Sequence, residues 1–231
     1  MDFSFLKDYY PYFISGAIIT LIISIITIFF GTFLGVVLAL MKRSKWVALK
    51  WLASLYIEVF RGTPMLVQIL ISMGLFHQVI SFPPLTIGVL QVDFGRLFPG
   101  ILALSMNSGA YVAEIVRGGI NAVSSGQFEA ARSLGMNGSQ TMRFIVFPQA
   151  LRNILPALGN EFIVLIKDSS LLSTIGIYEL MNSAQIVITS SFIPLQPLYV
   201  AAVIYLIMTF ITSRLLNLWE KHLGKGYAKA R

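Results

Sequence analysis

From Tyr12 to Met41 the chain carries no charged residue, and this run limits the possible folds more than any other feature. A helix rises about 1.5 Å per residue and needs about 20 apolar residues to cross the hydrocarbon core of a bilayer. Tyr12–Met41 exceeds that length. In hydrocarbon each backbone N–H and C=O must find a partner within its own segment, which selects a helix over an isolated strand. Gly16, Gly31 and Gly35 leave room for neighbouring helices to come close. The run stops at Lys42, Arg43, Lys45 and Lys50, a basic cluster of the kind that stays on the cytoplasmic side of a membrane.

Four more spans can be read along the chain. Trp46 to Tyr56 mixes Lys50 with Trp46, Trp51 and Leu55, the pattern of an interfacial helix. Span two is expected at Ile57–Ile80, bent near its start by Pro64 and ended by Pro83 and Pro84. A short loop with Asp93 and Arg96 leads to span three, Leu97–Val116. A polar segment, residues 117–143, precedes span four, Phe147–Lys167, which carries Arg152, Pro156 and Glu161. A second loop, Asp168–Gln196, has room for a short helix at Ile177–Val187. Span five, Pro197–Leu216, ends at a basic tail.

Lys and Arg concentrate after span one, after span three (Arg117, Arg132, Arg143) and in the tail (Lys221, Lys225, Lys229, Arg231), while the other connections are poor in them. The expectation is an all-α membrane protein of about five helices, N-terminus outside and C-terminus inside. It forms a single domain over residues 1–231, with a cytoplasmic loop at about 117–146.

Charged residues are only 12% of the chain, about half the share in a soluble domain, and the net charge of +7 sits beside apolar runs. That placement points to lipid rather than nucleic acid. With no cysteine, disulfides, thiol catalysis and cysteine-ligated metals are excluded. His77 and His222 are too sparse for a metal or catalytic pair, so no metal is expected. The N-terminus lacks the basic leader and cleavage site of a signal peptide. No internal repeat is evident.

The loop contains a polar island, Gly126-Gln127-Phe128-Glu129-Ala130-Ala131-Arg132-Ser133-Leu134-Gly135. Ser124 or Ser125 can cap a helix there, and Gly135 can supply the left-handed residue that ends it. Phe128, Ala131 and Leu134 make a short apolar stripe. Ala130 and Ala131 let a partner surface approach, and Glu129 and Arg132 can fix its register. The same composition suits a loop helix lying on the membrane surface.

Glu129-Ala130-Ala131-x-x-x-Gly135, followed by Ile145-Val146-Phe147-Pro148, resembles the cytoplasmic loop of ABC-type importer permeases, with Phe147 where that family has Leu. Four further stretches resemble its polar amino-acid branch (His/Glu/Gln/Arg-type). They are Ile57-Glu58-Val59-Phe60-Arg61-Gly62-Thr63-Pro64, Asn107-Ser108-Gly109-Ala110-Tyr111-Val112-Ala113-Glu114, Phe147-Pro148-Gln149-Ala150 and Pro156-Ala157-Leu158-Gly159-Asn160-Glu161. The likeness covers about residues 12–220. It implies a type I ABC importer permease in a bacterial inner membrane that pairs with a second copy or a homologous permease. It implies too that Gln127, Phe128, Glu129, Ala130, Ala131, Arg132, Leu134 and Gly135 form the coupling helix that docks a dimer of ATPase subunits. An extracytoplasmic amino-acid-binding protein is the remaining implied partner. No phosphate-cradling Gly-x-x-x-x-Gly-Lys-Ser/Thr occurs, since Gly224-Lys225-Gly226 has the wrong spacing. The chain is therefore not expected to be an enzyme, and ATP and Mg belong to the partner ATPase.

Ionisable groups inside spans are costly and point to function. Asn107, Tyr111 and Glu114 share one helix face at i, i+4 and i+7, and Glu161 and Asp168 lie i and i+7, about 10 Å apart along the axis. Glu58 and Arg61 are i and i+3, with Gln68 two turns on. Arg61 with Glu58 or Glu114 is expected to form a structural ion pair. Asn107, Tyr111, Glu161 and Asp168 are expected to line a pathway for a basic or zwitterionic amino acid, the helix unwinding after Asp168. The competing role for Glu161 and Asp168 is pairing with Arg152 and Lys167. The rival function is a proton- or sodium-coupled secondary transporter using Glu114, Glu161 and Asp168; a non-transporting scaffold would leave the charged stripes unexplained.

Overall fold

The uncharged run forms one long helix, α1 (Leu6–Arg43), in a computed structural model that describes residues 3–77 and 84–228, with side chains through Glu220. Ile80, Pro83, Lys229, Arg231 and the side chains of Lys221, His222 and Lys225 fall outside that description. The interfacial stretch and the start of the expected second span merge into α2 (Val47–Gly62), and α3 (Met65–Phe76) continues after a break at Thr63 and Pro64. The bend there is 110°, far sharper than a proline kink in a continuous helix.

The expected short loop contains a hairpin, β1 (Leu85–Ile87) and β2 (Leu90–Val92), paired antiparallel with Ile87 opposite Leu90. Its two-residue turn uses Gly88 at φ 61, and Ser15 on α1 accepts the Val89 N–H at 3.3 Å. Buried Leu90 and Val92 drive it into the core, so the described residues are helical with one small hairpin.

Asp93 caps α4 (Phe94–Asn121) by accepting the Gly95 N–H. The loop helix α5 (Ser125–Ser133), the short turn α6 (Gly138–Gln140) and a π-helical turn (Thr141–Val146) lead into α7 (Phe147–Asp168). The expected second loop is mostly helical: a 3₁₀ segment (Ser169–Ile175), then α8 (Leu180–Ser191) and, after Phe192, α9 (Gln196–Ala228). Serine and threonine hydroxyls stabilise the 3₁₀ segment by bonding carbonyls three residues back, as Ser169 does to Ile166 and Ser173 to Ser170.

α1 and α9 are each long and apolar enough to cross a bilayer, and α2 with α3 and Gly138–Ile175 with α8 raise the number to four if each bent pair is one span. α4 is not among them: Asn107, Ser108 and Glu114 lower its hydropathy, and it packs inside the bundle against α1, α3 and α7. Small residues permit that packing. Gly31 meets Ser108, Gly109 meets Leu34, and a Cβ on Gly35 would lie 2.5 Å from the Val112 Cβ and 2.9 Å from the Gly109 carbonyl oxygen. Gly16 abuts Ser183 and Leu180 of α8 in the same way.

These contacts make opposite predictions for two glycines. Gly35→Ala should cost about 1–3 kcal/mol by overpacking, lowering the thermal midpoint in detergent. Gly118→Ala meets nothing within 4 Å and should stabilise the helix by about 1 kcal/mol through helix propensity, raising the midpoint. Equal midpoints for the two variants would refute this account of the α1–α4 seam.

Candidate functional site

Pro64 has no N–H, so the carbonyl of Phe60 loses its partner four residues on. In a membrane protein that carbonyl must be satisfied some other way. Two side-chain amides supply the bonds. Gln68 donates to Phe60 O at 2.8 Å and to Thr63 O and Oγ1 at 3.2 and 2.7 Å. Asn107 of α4 donates to Phe60 O at 3.0 Å and to Gln68 Oε1 at 2.9 Å. The broken α2–α3 element is thereby fastened to α4.

Beside this fastening lies a cavity of about 370 Å³. Thr63 and Met65 come from the break, Asn107 and Tyr111 from α4, and Asn160, Glu161 and Asp168 from α7. All four residues expected on a pathway therefore share one cavity. Asn107 spends its N–H groups on the protein, which leaves its oxygen as an acceptor rather than a group that could also donate. Glu161 is buried, at 8% exposure. The volume is at the small end of ligand pockets, about 300–1,000 Å³, and fits a free amino acid better than a peptide. Two carboxylates and an amide oxygen are acceptors for an ammonium or guanidinium, and the lining offers no metal cluster; none occurs among the described residues.

α7 gives way after Asp168, as expected, but to the 3₁₀ segment, and the helical path breaks only at Gly176 (φ 74) through Glu179. Glu179, which the sequence reading passed over, is fully buried there. It caps α8 by accepting the N–H groups of Met181 and Asn182 at 2.9 and 2.8 Å, and accepts the Tyr205 hydroxyl of α9 at 2.7 Å. Capping preferences favour Asp, Ser, Thr and Asn, so a glutamate in this position carries little local signal.

The expected ion pair is replaced. Glu114 pairs with Lys42 of α1 at 2.8 Å and with Arg117, while no ion pair joins Arg61 to Glu58 or Glu114 among the described residues. Arg61 lies over the Tyr111 ring, 5.4 Å from its centroid, and Glu58 is exposed. Lys42 wins because the α1–α4 seam ends where its side chain meets Glu114.

In the loop, Ser124 caps α5 by accepting the Gly126 N–H, and Gly135 is left-handed at φ 79. Gly135 N–H bonds Arg132 O and Met136 N–H bonds Ala131 O, which closes the helix with the paired bonds of a Schellman motif. The apolar stripe divides. Ala131 is buried and so unavailable to a partner, Phe128 packs with Val123, Val146, Ala150 and Ile154, and Leu134 is 83% exposed. Gln127 accepts from Gln149 of α7 at 3.2 Å. α5 is thus seated mainly on the π-helical turn that leads into α7, with Gln149 of α7 bonded to it, and presents Gln127, Glu129, Ala130, Arg132 and Leu134 outward.

Comparison with known proteins identifies the family of the chain. Residues 31–225 match the family described as "binding-protein-dependent transport system inner membrane component". A putative glutamine transport system permease protein GlnP of Rickettsia felis is 39% identical over 95% of this chain and 97% of its own. The arginine transport system permease protein ArtQ of Bacillus subtilis is 39% identical over 91% and 94%. A crystal structure of an amino acid ABC transporter with histidines is 44% identical, with a TM-score of 0.87 over 96% of this chain and 99% of that one. The MetNI methionine ABC transporter, 18% identical with a TM-score of 0.72, shares the fold. These matches do not favour the ion-coupled alternative, and they imply ATPase and binding-protein partners. The chain belongs to the inner-membrane component family of binding-protein-dependent transport systems: it has the type I ABC permease fold and is a permease subunit of an amino-acid importer whose ATPase is a separate subunit.

Proposed function

We propose that this permease carries a basic amino acid through the cavity of Asn107, Tyr111, Glu161 and Asp168 by alternating access. The observation that carries the reading is the pair of carboxylates in one small cavity, with Asp168 and Glu161 both on α7. An amino acid with a cationic side chain supplies the charge that this wall lacks. Relatives named for arginine and for nopaline, both guanidinium-bearing compounds, fit that chemistry, although others are named for glutamine.

The chain acts as one domain, residues 1–231, with five spans (α1, α2 with α3, α4, α7 with α8, and α9) in the inner membrane of a bacterium. The basic clusters orient the N-terminus outward and the C-terminus inward. A pair of ATPase subunits binding ATP and Mg docks on Gln127, Glu129, Ala130, Leu134 and Gly135, with Phe128 and Ala131 seating the helix from behind and Arg132 lining the space beside Arg43. A second copy or a homologous permease completes the pathway, and a binding protein delivers substrate outside. Closure of the ATPases pushes α5, and because α5 rests on the π-helical turn that continues into α7, the α7 side of the cavity wall moves with it.

The test is to purify the chain from its membranes in mild detergent with whatever co-elutes, reconstitute it with its binding protein, and screen amino acids for stimulation of ATP hydrolysis. Arginine, lysine or ornithine is expected to stimulate most. Maximal stimulation by glutamine or glutamate would overturn the basic-substrate assignment.

A further inference from the structure

Two features at the foot of α1 reach beyond the transport scheme, although the first shares Phe128, Glu129 and Arg132 with the loop helix. The first is a cavity of about 530 Å³ where the last turn of α1 meets the end of α4 and α5, lined by Arg43, Asn121, Ser125, Phe128, Glu129 and Arg132 among others. Lys42 next door is consumed by Glu114, but neither Arg43 nor Arg132 has an ion pair or a side-chain hydrogen bond among the described residues. Ser125 begins the nine-residue α5, so the positive end of that helix adjoins the same space.

The second is a stripe on α2. Val47, Trp51, Leu55 and Val59, four residues apart, are 78, 63, 46 and 48% exposed, and Trp46 is 73% exposed. The other face of α2 is spent on the bundle, since Ala53 and Ile57 pack with Leu38, Ala110 and Ala113. An outward apolar stripe that begins with tryptophans and the exposed cations Lys45 and Lys50 has the make-up of a helix at a lipid–water boundary. Arg43 belongs to both features. It lines the cavity and heads the basic run that leads into the stripe.

We propose that this place binds an anionic phospholipid, its phosphate held between Arg43 and Arg132 and its acyl chains lying along the Val47–Trp51–Leu55 stripe. Guanidinium groups recognise phosphate through forked, charge-assisted hydrogen bonds, and the single carboxylate of the lining, Glu129, leaves an excess of positive charge. A zwitterionic headgroup brings no net charge to that excess. Bound lipid links α1 to α5, so it steadies the loop helix against the bundle. The proposal rests on the functional reading only for the name of the leaflet, the cytoplasmic one, and for the role of α5.

The intact transporter, with its co-purified ATPase, is placed in vesicles of phosphatidylcholine alone or mixed with phosphatidylglycerol, re-extracted in mild detergent, and its retained lipid counted by native mass spectrometry. The wild type is expected to retain phosphatidylglycerol over phosphatidylcholine. Arg43→Gln should retain about fivefold less, the effect of one cation at an anionic surface. Arg43→Lys should recover most of the difference, and Lys7→Gln, near the other end of α1, should match the wild type. Equal retention by the wild type and Arg43→Gln overturns the site. So does inorganic phosphate displacing phosphatidylglycerol as well as added lipid does, because the ligand is then a soluble anion. Retention is read without transport, so failure of the substrate assignment leaves this result standing.

Discussion

In Gly135→Pro, uptake by the reconstituted importer is expected to collapse while the spans stay folded, and ATP hydrolysis should continue without transport or fall with loss of the ATPase. Gly135 sits at φ 79, where proline, locked near −65°, cannot follow. Proline also removes the N–H that bonds Arg132 O, and it disfavours the helical conformation of Leu134 before it. The loss of this cap is about 3 kcal/mol, which reduces the population of the ordered helix end about a hundredfold. Two further variants grade the effect. Gly135→Asn tolerates the left-handed region and should stay near the wild type, and Gly135→Ala should lose about 1 kcal/mol, or about fivefold. No side chain lies within 4 Å of the added Cβ, so any effect of Gly135→Ala is conformational rather than steric. Thermal midpoints in detergent report whether the spans remain folded. Normal coupled uptake in Gly135→Pro would remove α5 from the coupling role.

Glu129→Lys tests the same helix from its outer face. Glu129 is exposed, so charge reversal leaves the seat of Phe128 and Ala131 untouched and acts on the partner's surface. Reduced ATPase retention with an unchanged midpoint is the expected outcome.

What the sequence revealed depended on how local the cause was. The run from Tyr12 to Met41 and the caps at Ser124 and Gly135 are written in adjacent residues, and they appear as α1 and α5. Gly16, Gly31 and Gly35 signal close packing because only small residues allow it, though not which helix comes close. Pro64 announces a bend, but its 110° depends on Gln68 and Asn107 replacing the lost backbone bond, and no local rule contains that rescue. The ion pair was misassigned for the same reason. Arg61, Arg117 and Lys42 all had suitable charge, and the choice of Lys42 for Glu114 follows from a seam between residues 72 positions apart. Asp168–Gln196 reads as a loop with one short helix, and that helix appears as α8. The segment's hydroxyls and the buried Leu172, Ile175 and Glu179 keep it inside the bundle as 3₁₀ and α-helix. The cavity residues were legible as helical stripes, and their meeting at one place required the fold.

Asp168→Asn is expected to abolish selectivity for a cationic substrate more than it impairs transport itself. The substitution keeps the size of the side chain and removes one of the two charges in the cavity wall, so a guanidinium or ammonium loses a charge-assisted hydrogen bond of about 1.5–3 kcal/mol. Stimulation of ATP hydrolysis by arginine or lysine should then need about 10- to 100-fold more substrate. A neutral amino acid that gains nothing from the charge should be affected little. Glu161→Gln should act in the same direction, and the double variant should fall short of the sum because both carboxylates address one cation. Asn107→Ala behaves differently. It removes the amide that holds Phe60 O and Gln68, so it should lower the thermal midpoint as well as uptake. Comparing the two separates a residue that meets the substrate from one that fastens the broken helix. If Asp168→Asn leaves both the concentration dependence and the arginine preference unchanged, the α7 carboxylates do not recognise the substrate.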